Sequence, residues 1–216
     1  MRETFQVELD KLIDDLARMA RMAGQMMTNA STALHQADLA LAELVISGVD
    51  EMNTLHHDME QRCISLLALQ APVATDLRLV VTAMHAVVDL ERMGHLAQHI
   101  AKVTRLKHPK QTVPGSVRPA FARMSLRASQ LAADAARAIE TRDPRSGERL
   151  AEADEEVDAL RRQLFRILLA EDWSHGVEPA VDTALIGRYY ERFADHAVAI
   201  GRQVGYLATG KLPTKR

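Results

Sequence analysis

Two acidic pairs stand out by type and spacing. Asp154 and Asp158 lie four residues apart, and so do Glu191 and Asp195. Side chains at i and i+4 leave a helix from one face, a turn apart, so each pair would present its carboxylates together. Carboxylates held that close repel unless a cation lies between them. Four such oxygen donors on facing helices form a hard-cation site, suited to Mg²⁺, Mn²⁺ or iron.

The same positions recur earlier in the chain. The stretch Arg188 to Ile200 overlays Asp89 to Ile100 at a shift of 100 residues, matching at Glu, Arg, Ala and Ile and keeping apolar residues opposite one another. The segment around Asp154 overlays that around His56 at a shift of 98. Carried back through these shifts, the acidic positions become His56 and Glu60 on one helix and Glu91 and His95 on the next. All four remain potential ligands, but two are now imidazoles. A set of two His and two Glu prefers Zn²⁺, iron or another first-row ion over Mg²⁺, so the two sites need not hold the same metal.

Long helices must position these residues. In the last of them Ile186, Tyr190, Phe193, Ala197, Ile200, Val204 and Leu207 alternate steps of four and three, the seam of a bundled helix, with Glu191 and Asp195 on its shoulder. Leu9, Leu12, Leu16, Met19, Ala23, Met26 and Ala30 define a first helix ending near Gln36. A second, capped by Asp38, runs through Leu41, Val45, Met52, Leu55, Met59, Leu66 and Leu69 to Ala71-Pro72. A third reaches about Leu106. The segment from Lys107 to Gly115, broken by two prolines and a glycine, is the only real linker. Val117 to Ala138 predicts a fourth helix, Asp143-Pro144 opens a fifth with its seam from Leu150 to Ile167, and a sixth follows Trp173-Ser174-His175-Gly176 and stops at Gly210. No alternating β-branched run predicts a strand. The expected fold is all-α: two tandem antiparallel three-helix bundles, residues 1–109 and 110–216, related by a pseudo-twofold.

Composition narrows the function. A formal net charge of −2 gives no electrostatic case for nucleic acid. No apolar run approaches the length of a bilayer span, and the first residues lack a signal peptide's apolar core, so no membrane insertion and a cytoplasmic location are expected. The single Cys63 sits among apolar residues and reads as a reduced core thiol. There is no Gly-rich phosphate loop, no HExxH, no CxxC and no recognisable hydrolytic triad. The ten methionines mostly fall on or beside seams, although Met22, Met26 and Met27 would also suit an adaptable binding surface.

Acid pairs at i,i+4 arise by chance in any helical chain this rich in acids, and a charged helix face is usually just solvated. Recurrence at repeat-equivalent positions beside apolar seams favours convergence, so spacing alone leaves cation sites and solvated faces evenly balanced. Arg92 and Arg192, also repeat-equivalent, read as ion pairs to a neighbouring helix or as partner-binding residues.

Leu66-Leu67-Ala68-Leu69-Gln70-Ala71-Pro72-Val73-Ala74-Thr75-Asp76-Leu77-Arg78, Asp89-Leu90-Glu91-Arg92-Met93-Gly94 and Arg188-Tyr189-Tyr190-Glu191-Arg192-Phe193-Ala194-Asp195-His196-Ala197 together resemble the PhoU family over the whole chain. The resemblance implies a cytoplasmic, non-enzymatic and often homodimeric regulator with multinuclear metal sites on E(D)xxxD motifs. These fall in full at Asp154 to Asp158 and at Glu191 to Asp195, whereas His56 and His95 depart from the pattern. It also implies partners: the ATPase subunit of the high-affinity phosphate transporter and the phosphate-sensing histidine kinase, both restrained when phosphate is ample. The competing expectation is a carboxylate-bridged metalloenzyme, a metal-assisted hydrolase or oxidase.

Overall fold

The computed structural model describes residues 2–211, which form six helices: α1 (Arg2–Gln36), α2 (Leu39–Gln70), α3 (Ala74–Lys107), α4 (Arg118–Thr141), α5 (Ser146–Leu168) and α6 (Val177–Thr209). There is no strand among the described residues. The all-α expectation holds, and the helix ends follow local chemistry. The Asp38 carboxylate accepts from the Leu41 N–H at 3.0 Å, satisfying one of the free donors of α2. Beyond α6, Gly210 takes the left-handed conformation (φ 71°) and its N–H donates to the Tyr206 carbonyl at 2.8 Å. Two prolines, a residue suited to a helix's first turn, sit just outside theirs. Pro72 and Pro144 lie in the connections before α3 and α5 rather than in their first turns. At the second of these the Asp143 side chain takes the Arg145 N–H at 2.9 Å, and its carbonyl takes that of Ser146 at 3.2 Å.

The helices of each half pack on one another, α1 with α2 and α3, and α4 with α5 and α6. The halves then meet through α1 against α4 and α3 against α6. Exchanging the first three helices for the last three leaves this set of contacts unchanged, as a pseudo-twofold requires. α3 and α6 run antiparallel: Lys107, ending α3, reaches Asp182 near the start of α6 (2.9 Å), while Arg78 near the start of α3 lies against Gly210. Midway along, His196 Nδ1 and Gln203 Nε2 of α6 both meet the Asp89 carboxylate of α3, at 2.9 and 2.7 Å.

One continuous apolar core runs through both halves, and the seams read from the sequence supply most of it. Leu69 is an exception: it is 79 % exposed, whereas Leu66 one turn earlier is buried. A straight α-helix drifts by about 20° per heptad against a strict 3.5-residue repeat, so a seam begun at Leu41 is out of phase by the end of α2. Met26 and Met27 are buried and Met22 packs against the core, so these methionines fill gaps rather than offer a surface. Tyr190, wholly buried, joins three helices: its ring lies 6.0 Å from that of Phe121 on α4, and its hydroxyl is 2.6 Å from Ser31 Oγ on α1. Ser31 has a second partner, donating to the Met27 carbonyl at 2.7 Å. Tyr190→Phe therefore leaves Ser31 satisfied and should cost only about 1 kcal/mol. Thermal unfolding should show a drop of about 2–4 °C.

Candidate metal centre

α5 and α6 pack antiparallel at very short range. Gly187 faces Leu164, and Gly201 faces Leu150, Gly147 and the Ser146 carbonyl. The Ser146 hydroxyl donates to the Gly201 carbonyl at 3.0 Å, fixing the register of the two helices. In that register Asp154 and Asp158 of α5 meet Glu191 and Asp195 of α6. Glu191 is buried, at 8 % exposure, Asp154 and Asp158 are half-buried, and Asp195 is the most exposed of the four, with its carboxyl partly enclosed. Their mutual field is strong. Burial, and then the charges of Asp158, Asp195 and Glu191, push the Asp154 carboxyl up to about 7. Burial and Glu191 also raise Asp195. Asp154 Oδ1 is shut away from solvent with no hydrogen-bond partner. Asp154 thus feels the charge of all three other acids.

Among the described residues, no group of three or more His, Cys, Asp or Glu side chains stands at the mutual distances of metal ligands. Two guanidiniums meet Glu191 instead. Arg188 Nη1 and Arg161 Nε both meet Glu191 Oε2, the latter at 3.4 Å. The donor chemistry is that of a hard divalent cation, carboxylate oxygens with one of them orphaned, but the side chains do not stand at its coordination distances. Sequence reasoning missed both arginines. Each lies three residues from a site acid, Arg188 before Glu191 and Arg161 after Asp158, a spacing that reads only as a generic helix ion pair.

In the first half, α2 and α3 bring three of the four expected residues together. His56 Nδ1 is 2.9 Å from Glu91 Oε1, and His95 Nε2 is 4.0 Å from the same oxygen. Asn53 Oδ1, unforeseen, lies 3.1 Å from His95 Nε2. Among the described residues Glu60 makes no hydrogen bond or ion pair to the other three, and its charge is felt by the Cys63 thiol one turn on. Burial pushes that thiol up to about 11, so it should resist alkylating reagents in the native protein and react at once in denaturant. Thiol titration with and without guanidinium checks this. Arg92 and Arg192 are both exposed, and among the described residues neither has an ion-pair partner on a neighbouring helix.

The structure thus defines an all-helical, internally duplicated protein with a carboxylate cluster between the last two helices. A family profile described as the PhoU domain matches residues 16–104 and 121–204. The chain belongs to the PhoU family. It is 44 % identical over 213 residues to the phosphate-specific transport system accessory protein PhoU homolog 2 of Mycobacterium tuberculosis, covering 99 % of this chain and 100 % of that one. The corresponding figure for homolog 1 of Mycobacterium leprae is 43 %, over 99 % of this chain and 96 % of that one. Among solved structures, the phosphate transport system regulatory protein PhoU from Streptococcus pneumoniae superimposes with a TM-score of 0.88 at 26 % identity, over 98 % of this chain and 100 % of that one. PhoU from Pseudomonas aeruginosa gives a TM-score of 0.86 at 25 % identity, over 96 % and 100 %. No described helix is long and apolar enough to cross a membrane.

Proposed function

We propose that this chain is a metal-binding cytoplasmic regulator of phosphate uptake and of phosphate-starvation signalling. It acts by docking rather than by catalysis. When phosphate is ample it restrains the phosphate transporter through the ATPase subunit and keeps the phosphate-sensing histidine kinase quiet, as a homodimer. The full-length likeness to accessory proteins of phosphate-specific transport supports the pathway. The observation that carries the metal reading is the convergence of Asp154, Asp158, Glu191 and Asp195, with a buried carboxylate oxygen left unpartnered.

When bound, a divalent cation supplies positive charge that lets these acids stay ionised together. The chain's own residues do the rest. Asp154 and Asp158 fix the α5 side of the cluster, Glu191 and Asp195 the α6 side, and the α5–α6 contact holds them in register. In the first half His56, Glu91 and His95 form a softer donor set, suited to Zn²⁺ or iron, with Glu60 as the fourth donor.

Affinity capture from phosphate-replete and phosphate-starved cells tests the regulatory reading. A transporter ATPase subunit and a sensor kinase should be recovered from replete cells and depleted from starved ones. Phosphate uptake and starvation-gene expression that do not change when the chain is deleted would contradict it.

A further inference from the structure

The contacts at Glu191 fix which side chains share a face. Arg161 of α5 and Arg188 of α6 meet on one Glu191 oxygen, so the helix faces that continue from them lie on one side of the α5–α6 pair. On α5 that face runs on to Phe165 and Leu169, and on α6 it runs back through Leu185 and Val181 to Val177. All five are exposed, Leu169 and Val177 at 82 % and 80 %. Leu164 facing Gly187 and Leu150 facing Gly201 set one register, which puts Phe165 level with Leu185, and Leu169 with Val181, to within a residue. These apolar side chains form a shelf about 12 Å long from Val177 to Leu185. Its tip is closed by Trp173 Nε1, which donates to the Gly176 carbonyl at 2.9 Å, so a partner meets a surface already ordered.

The two rims of the shelf differ in charge. On the α6 side Glu178 and Asp182 are both taken by Lys107 of α3. On the α5 side Arg162 and Arg166, each one residue past Arg161 and Phe165, are exposed, and among the described residues neither has an ion-pair partner. Arg166 shares a shallow notch with Asp172 without pairing to it. The first half has Ile64 and Ala68 at the positions of these two arginines and carries no such rim. Apolar side chains at i, i+4 and i+8 beside a row of unanswered cations suit an amphipathic helix laid with its apolar face down and an acidic flank over the arginines.

We propose that this shelf docks an amphipathic helix of a partner protein whose flank is acidic. Its apolar side chains cover Phe165, Leu169, Val181 and Leu185, and its carboxylates meet Arg162 and Arg166. The docking reading above thereby gains a surface, and this inference rests on that reading; no cation enters it.

Fluorescence anisotropy at low salt, with a labelled helical peptide that carries leucines at i, i+4 and i+7 and glutamates along one flank, is the test. The wild-type chain should bind it about tenfold or more tightly than the same peptide with lysines in place of the glutamates. Arg162→Glu combined with Arg166→Glu should reverse that order. Leu169→Ser combined with Val181→Ser should weaken both peptides, with helicity unchanged by circular dichroism. A glutamate peptide that does not bind the wild type, or a preference that survives the charge reversal, overturns the inference. So does a wild-type dimer in sedimentation that the two serine substitutions dissolve, since a second copy then covers the shelf. In each case recovery of partners from phosphate-replete cells still judges docking itself.

Discussion

Gly201→Ala should destabilise the protein by about 2–3 kcal/mol and lower its midpoint of thermal unfolding by about 5–10 °C. A Cβ at Gly201 would lie 2.5 Å from Leu150 Cδ1, 3.1 Å from the Ser146 carbonyl oxygen and 3.2 Å from Gly147 Cα. Leu150 can change rotamer, but the other two atoms are backbone, so α5 and α6 must separate. Separation also stretches the Ser146 to Gly201 hydrogen bond that fixes their register. The carboxylates of the two helices should then part, and cation affinity should fall together with stability. Gly115 is the control: a Cβ there meets nothing within 4 Å, so Gly115→Ala should change stability by less than about 0.5 kcal/mol. Denaturant melts of the two variants against wild type decide the matter.

Asp154→Asn should have opposite effects with and without metal. In the cation-free protein the Asp154 carboxyl sits at about 7, raised by burial and by its three acidic neighbours. An acid whose folded value lies above its unfolded one holds a proton that the unfolded chain has released, so stability declines as pH rises between the two values. That window runs from about 4 to about 7, and above it the loss is complete. The carboxyl is half-exposed, and with solvent screening allowed for, the loss should amount to roughly 1–2 kcal/mol. Asparagine cannot ionise, so the variant should melt a few degrees above wild type at pH 8 and match it near pH 4. Adding Mg²⁺ or Mn²⁺ at pH 8 should raise the wild-type midpoint and leave that of the variant nearly unmoved. A wild-type pH profile that Asp154→Asn reproduces would show that the acids do not feel one another.

Much of the fold was legible because helix chemistry is local. Asp38, Gly210 and the four-three seams announce where helices begin, end and face, and the structure departs from them only where a local rule meets geometry over a longer range. Leu69 leaves the core because a straight helix cannot keep phase over so many turns, and Pro72 and Pro144 are displaced by the turns they help to build. How the halves meet was not legible. The Asp89 to His196 contact joins residues 107 apart in sequence, and the repeat that predicts equal halves does not say which helices they share.

The site divides along the same line. Spacing at i,i+4 identifies carboxylates that leave a helix together, which is why Asp154 with Asp158 and Glu191 with Asp195 stand out. Whether two such faces meet depends on the close glycine packing of α5 on α6, a tertiary fact. In the first half, contacts join only three of the four repeat positions: His56 and His95 meet Glu91, while Glu60 makes no hydrogen bond or ion pair with them among the described residues. Arg161 and Arg188 were invisible because a guanidinium three residues from an acid is commonplace on any helix, and only coordinates place both on one buried carboxylate.

Calorimetric titration of metal-stripped protein with Mn²⁺, wild type beside Glu191→Gln combined with Asp154→Asn, tests the cation cluster most directly. Saturable uptake by the wild type that the double variant loses, with its helical content intact, is the predicted result. No uptake by the wild type, or the same isotherm from both proteins, would contradict the account.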